Sequence, residues 1–275
     1  MAELTILGSG TALPDADREN SCYVVANRRG LLMLDCGGSP YRLMLKYGLD
    51  PRELRAIFIS HNHPDHLMGL PALLLHLWLV QRREPLHVFG NSSAIATARA
   101  VVGAAALGEH AITPEFHACP DDGGPLELPF DLGWRLSAAP TRHSRPTLAL
   151  RLDDAETSLV YGADSGPCPA LVELARGAHT LIHECTVPTP FESHSTPEEA
   201  AETARQAGVR RLILTHYSPR WTAPEPEVLA RVRSAGFRGK IRIAHDGEAY
   251  DLASLRAPRR ATAAASRARI APDAR

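Results

Sequence analysis

Short apolar runs rich in Leu, Ile and Val recur along the chain. Between several of them the apolar spacing changes from a strand-like run to the three-and-four spacing of a helix. Glu3–Gly8, residues 22–26 and residues 31–35 predict three early strands, with Asn27-Arg28-Arg29-Gly30 as the hairpin turn between the last two. Gly8-Ser9-Gly10 with Pro14 reads as a loop, and Gly37-Gly38-Ser39-Pro40 as a loop that opens a helix to about Lys46. Ala56-Ile57-Phe58-Ile59 predicts a buried strand. Leu70, Leu73, Leu74, Leu77 and Trp78 then recur at helical spacing. Leu86-His87-Val88-Phe89-Gly90 is a further strand, after which Ser92 or Ser93 caps a helix over 94–107. Residues 108–133, rich in Pro, Gly and Asp, read as irregular.

Strands follow near 134–139, 147–152 and 157–161, then a helix near 168–176 and a strand over 180–183. Thr196-Pro197-Glu198-Glu199 is the clearest helix start, with an N-cap, a proline at the first helical position and a capping-box glutamate. A strand over 210–215, a helix over Glu225–Ser234 closed by Gly236, and a strand over 241–244 complete the pattern. Early strands in hairpins and later strands alternating with helices predict an α/β protein of mixed sheets with helices on their outer faces. The expected organisation is one domain over 1–256, followed by a disordered basic tail over 257–275, where Ala, Arg and Pro dominate.

Composition adds constraints. The chain has 275 residues, enough for a full core, with 44% apolar and 22% charged residues and a net charge of −1. That balance exerts no global pull towards nucleic acid. Lys46 and Lys240 are the only lysines, so nearly all positive charge is arginine. Five cysteines, an odd number with no C-x-x-C pair, suit a reduced compartment. The first residues enter a strand with no charged leader, and no apolar run spans a membrane, so the expectation is a cytoplasmic protein with no membrane partner.

The densest chemistry lies in Ser60-His61-Asn62-His63-Pro64-Asp65-His66, where a strand gives way to a helix. On an extended turn His61 and His63 can point to one side and grip one cation, while Asp65 and His66 are offset and can reach a second. Imidazole and carboxylate are the donors that borderline ions such as Zn2+ take. Three later residues stand at the ends of apolar runs: His143, Asp164 and His216. His143 would complete one ion with His61 and His63, and His216 the other with Asp65 and His66. Asp164, having two oxygens, is the natural bridge. His76, His87, His110, His117, His179, His183 and His245 read as ordinary structural histidines, with His183 and His245 close enough in sequence to support the ligands from behind.

The order H-x-H-x-D-H, His, Asp, His resembles the metallo-β-lactamase superfamily over about residues 3–250. The resemblance implies an αββα sandwich of two mixed β-sheets flanked by helices, with two Zn2+ as cofactors and Mn2+ as the alternative. Flavodiiron members of the superfamily carry a carboxylate where this chain has His63, which favours zinc over a redox di-iron centre. His183-Glu184-Cys185-Thr186, His194-Ser195-Thr196-Pro197-Glu198-Glu199-Ala200 and Leu214-Thr215-His216-Tyr217-Ser218 are similar to the ribonuclease Z-like branch. So are Leu7-Gly8-Ser9-Gly10 with Pro14 and Arg18, and Asp35-Cys36-Gly37. The implied chemistry is metal-assisted phosphodiester hydrolysis, with Asp65 orienting the nucleophile while ligating. The resemblance further implies that His194 protonates the leaving oxygen and that Glu184 orients His194.

The departures concern substrate. Members that trim tRNA 3′ ends usually carry a long arm between the third histidine and the bridging aspartate, and only twenty residues separate His143 from Asp164. Gly37-Gly38-Ser39-Pro40 lacks the acidic loop of the tRNA enzymes, and Pro64 stands where they commonly have glycine. The expected substrate is a small or nucleotide phosphodiester, ahead of RNA. The alternatives are an acyl hydrolase of lactonase or β-lactamase type, or a tRNA 3′-processing endonuclease. Branch members are often homodimers.

Overall fold

The computed structural model describes residues 2–108, 111–220 and 223–262. Its first half comprises β1 (Glu3–Gly8), β2 (Cys22–Asn27), β3 (Gly30–Leu34), α1 (Pro40–Lys46), β4 (Leu54–Ile59), α2 (Pro64–Leu67), α3 (Leu70–Leu79), β5 (His87–Gly90), α4 (Ser92–Ala104), β6 (Glu115–Ala118) and β7 (Gly124–Leu126). Its second half comprises β8 (Arg135–Pro140), β9 (Leu148–Asp153), β10 (Ser158–Tyr161), α5 (Pro169–Leu174), β11 (Thr180–Glu184), α6 (Pro197–Ala207), β12 (Arg211–Thr215), α7 (Glu225–Ser234), β13 (Lys240–Ile243), β14 (Glu248–Asp251) and β15 (Arg259–Arg260).

The period of two along each strand produces the layers. Leu4 and Ile6, Tyr23 and Val25, Ala56 and Phe58 belong to one buried cluster; their neighbours Leu7, Val24, Ile57 and Ile59 belong to another. The second sheet repeats this. Leu159, Tyr161 and Ile213 join the first cluster, while Val160, Leu212 and Leu214 turn to a third. The shared cluster is therefore the core between two sheets packed face to face. The outer clusters are closed by α1, α3 and α4 on one side and by α5, α6 and α7 on the other. On α6 the buried positions Ala200, Ala201, Ala204 and Ala207 let the helix lie close to its sheet. This is the expected αββα sandwich. No helix among the described residues is long and apolar enough to cross a membrane.

One sheet runs β15-β14-β1-β2-β3-β4-β5-β6 and the other β13-β12-β11-β10-β9-β8-β7. Each sheet is antiparallel on one side and parallel on the other: β3 to β6 are parallel, as are β10 to β13. Parallel strands end at the same edge, and in open α/β sheets that carboxyl edge is where ligands are held. β4, β10, β11 and β12 deliver their loops there.

Several elements differ from expectation. Residues 108–133 contain the short strands β6 and β7; β6 is only four residues long, and β7 is hidden by Gly124 and Pro125, a proline that costs no ladder bond at a sheet edge. β14 and β15 were also not expected. Helix α4 begins two residues early, capped by Asn91, whose side-chain oxygen accepts the Ala94 N–H at 2.7 Å. The capping box at Thr196 and Glu199 forms as expected. Of the tail expected over 257–275, residues 257–262 carry β15, paired with β14, and a buried Ala261. Residues 263–275 and His110 lie outside the described residues.

Asn91 also clasps the sandwich. Its Nδ2 donates to the carbonyls of Ser60 and Pro146, each at 2.9 Å, and the Ser60 carbonyl also accepts the Leu148 N–H of β9. Asn91→Ala removes a helix cap and one of the two donors to the buried Ser60 carbonyl, so we expect a loss of about 1–3 kcal/mol of stability. Chemical denaturation followed by circular dichroism measures it.

Candidate metal centre

Beyond β4 the chain stays extended through His63, whose φ and ψ are −68° and 146°, until Pro64 starts α2. Two extended residues apart, His61 and His63 share a side, their rings edge-on at 4.7 Å. Asp65 and His66 lie on the first turn of α2, so they address a different direction. His143 follows β8, Asp164 follows β10 and His216 follows β12. The structure brings all seven together.

Two sets of donors result. His61 Nε2 and His143 Nε2 lie 2.9 and 3.1 Å from His63 Nδ1. Asp65 Oδ2 lies 3.3 Å from His66 Nε2 and 3.4 Å from His216 Nε2. Asp164 stands between the sets. Its Oδ2 is 3.9 Å from His61 Nε2, 3.8 Å from His143 Nε2 and 3.6 Å from His216 Nε2, while its Oδ1 is 3.6 Å from His66 Nε2. Within each set the ligand atoms lie within 4.8 Å of one another. Donors at about 2.0–2.1 Å from a tetrahedral ion are about 3.3 Å apart, so these separations suit a shared cation. His66 Nε2 adds an independent sign: it is buried, points into the set and has no hydrogen-bond partner among the described residues.

The other ring nitrogen of each histidine explains the orientation. His61 Nδ1 meets Ser60 Oγ at 3.0 Å, and His143 Nδ1 donates to the Ser193 carbonyl at 2.9 Å. His216 Nδ1 meets Thr186 Oγ1 at 2.7 Å, and His66 Nδ1 meets Asp35 Oδ2 at 2.6 Å. Four rings are thus turned to present Nε2 inward, and His63 presents Nδ1. Burial pushes His61, His63 and His143 below the ordinary histidine value, which keeps them neutral as ligands must be. Burial works against the charges of Asp65 and Asp164, but the surrounding imidazoles outweigh it and hold both carboxyls ionised, well below their usual range.

Asp35 is the residue that motif spacing did not assign a role. Fully buried at the end of β3, it accepts the Ser60 N–H at 2.7 Å, Ser60 Oγ at 2.8 Å, the Tyr161 hydroxyl at 2.6 Å and the His66 ring. Its φ is +55°, and Ala163 and His216, which flank Asp164 and end β12, also have positive φ at +51° and +55°. Left-handed backbone costs a non-glycine residue about 1–2 kcal/mol, and here it falls beside the ligands. Gly37 is required for a different reason: a Cβ there would stand 2.0 Å from the Asp65 carbonyl oxygen.

Beside the donors, buried Glu184 accepts the Ser165 and Thr186 N–H groups at 2.9 and 3.0 Å and pairs with His194 Nδ1 at 2.8 Å. The His194 ring lies nearly parallel to His216 at 5.9 Å, with Phe191 stacked beyond it at 6.1 Å. Of the remaining histidines, His183 is buried with its Nδ1 on the Glu184 carbonyl, and His245 pairs with Glu225 at 3.0 Å. Neither supports a ligand.

Comparison with known proteins gives a consistent picture. The family described as the beta-lactamase superfamily domain matches residues 32–217. Ribonuclease Z of Mycobacterium sp. (strain KMS) is 33% identical over 276 residues, covering 90% of this chain and 94% of that protein. The metallo-beta-lactamase fold protein YhfI from Bacillus subtilis superposes with a TM-score of 0.77 at 23% identity, covering 91% of this chain and 100% of that one. Human tRNase Z, short form, superposes with a TM-score of 0.72 at 22% identity, covering 91% and 99%.

Asp35→Asn keeps the shape of the carboxylate but loses its charge towards His66, so metal affinity should fall about 10–100-fold. Equilibrium dialysis against a chelator, with elemental analysis of the retained metal, measures the change.

Proposed function

The chain belongs to the beta-lactamase superfamily, and from that premise we propose a two-zinc phosphodiesterase acting on small or nucleotide phosphodiesters, with Mn2+ as the alternative ion. At the coarser level it is a metal-dependent hydrolase of nuclease or phosphodiesterase type. In the proposed assignment, His61, His63 and His143 hold one ion, Asp65, His66 and His216 the other, and Asp164 both. A donor set dominated by imidazole favours zinc among common divalent ions. When bound, such a pair polarises phosphoryl oxygens and lowers the pKa of water towards neutrality.

The observation that carries the reading is the His194–Glu184 pair beside the ligand sets. With Nδ1 engaged by Glu184, His194 has Nε2 free to donate a proton to a departing alkoxide, the step on which phosphodiester cleavage gains most from an acid. An acyl hydrolase has less need of it. Burial disfavours the charged ring, but the Glu184 hydrogen bond and charge outweigh it, so His194 titrates above the ordinary histidine value. The pair thus favours the protonated ring, the form an acid needs. Asp65 orients the attacking water as an acceptor. His194 is the catalytic acid and Glu184 its positioning residue.

Support for a small substrate comes from the connection between His143 and Asp164. β9 and β10 pair directly as a hairpin with a turn over 154–157, leaving no chain for an arm that would grip a folded RNA. Ribonuclease Z relatives make RNA the competing substrate. Assays of the metal-loaded protein with bis(p-nitrophenyl) phosphate, a cyclic nucleotide, a tRNA precursor, a lactone and a β-lactam separate these readings. We expect turnover of the first two only; preferential cleavage of the tRNA precursor contradicts the small-substrate assignment.

His194→Ala should lower kcat by about 10²–10⁴-fold with metal content intact. The acid form is needed, so activity holds below the His194 pKa and falls as pH rises through it. Glu184→Gln removes the group that raises this pKa and should move the alkaline limb to lower pH. A pH–rate profile unchanged in that variant sinks the positioning role.

A further inference from the structure

Away from the main centre, the last two strands of the parallel side of the first sheet bring together three more donors. His87 on β5 is the register partner of Glu115 on β6, and Phe89 is the partner of His117. Residues two apart share a face, so His87, Glu115 and His117 all project from the face that carries Phe89 into the core between the sheets. They stand at its rim, with His87 and His117 partly buried and Glu115 exposed.

His87 Nδ1 is 3.2 Å from His117 Nε2 and 3.4 Å from Glu115 Oε2, and the three ligand atoms lie within 4.8 Å of one another. These are again the separations of about 3.3 Å expected around one tetrahedral ion. A hydrogen bond between the imidazoles explains one of the two short distances. Whichever ring carries that proton, the second close approach to Nδ1 is left without one of its own, whereas one cation accepts a lone pair from all three ligand atoms. Ring orientation is held from outside: Phe130 stacks flat on His87 at 4.0 Å and 10°, and lies 5.3 Å from His117. Glu115 supplies the negative charge of the cluster, against the weaker positive potential of Arg55 and Arg82 at His87.

We propose that His87, Glu115 and His117 form a separate site for one divalent transition metal ion of the Zn2+ class. The ion clasps the four-residue edge strand β6 to β5, leaving a fourth position to water. Among the described residues β6 has no sheet partner beyond β5, so an ion bridging the two strands stabilises an edge that is otherwise held on one side.

The full-length protein, with its main centre already saturated, is titrated with ZnCl2 against a chromophoric chelator. Wild type should take up one more equivalent than His117→Ala, with phosphodiesterase activity retained in both. Glu115→Gln should weaken that extra equivalent at least tenfold. Equal stoichiometry in wild type and a His117→Ala protein that circular dichroism shows to be folded overturns the proposal. If His117→Ala does not fold, equal affinity of wild type and Glu115→Gln overturns it.

Discussion

Seven polar side chains crowded together, most of them buried, must find partners for their donors and acceptors, and this requirement shapes the protein. His63 Nδ1 faces two imidazole nitrogens at 2.9 and 3.1 Å and can share a proton with only one of them, and the inward nitrogen of His66, 3.3 Å from Asp65 Oδ2, makes no hydrogen bond among the described residues. A cation shared within each set satisfies such an arrangement. The fold holds the donors in place in advance, through hydrogen bonds on the far side of four of the five rings.

That preparation is distributed over both sheets. Ser60, at the end of β4, receives Asn91 and Leu148 on its carbonyl and gives its N–H and hydroxyl to Asp35. Tyr161 of the opposite sheet reaches the same carboxylate. Asp35 is thus a knot between β3, the ligand loop and β10, and it holds His66 at the same time. Positive φ at Asp35, Ala163 and His216 is tolerated because these surroundings over-determine the backbone. Glu184 plays the equivalent part for His194, anchored by two backbone donors before it meets the ring.

Much of this was legible in the sequence. His61, His63, Asp65 and His66 form a local motif, and His143, Asp164 and His216 each follow an apolar strand, so spacing alone pointed to convergence. Asp35 is not legible in the same way: a lone carboxylate after a strand has no spacing that reports its bonds to Ser60, Tyr161 and His66. Asn91 was passed over because the serines after it are equally good caps, and only the three-dimensional position of the Ser60 and Pro146 carbonyls selects it. β6, β7, β14 and β15 escaped because two to four residues give too little periodicity, and Gly124 and Pro125 mimic a loop. His87 and His117 read as isolated histidines until strand pairing set them side by side.

The central claim is that a nitrogen- and oxygen-lined pair of ions sits among these seven side chains. X-ray absorption at the zinc edge on the metal-loaded protein tests it most directly. The account predicts imidazole-dominated scattering at about 2.0–2.1 Å, no sulfur shell, and a metal–metal vector near 3.5–4 Å. A sulfur shell at about 2.3 Å, which would draw in the buried cysteines, or the absence of any metal–metal vector, would contradict it.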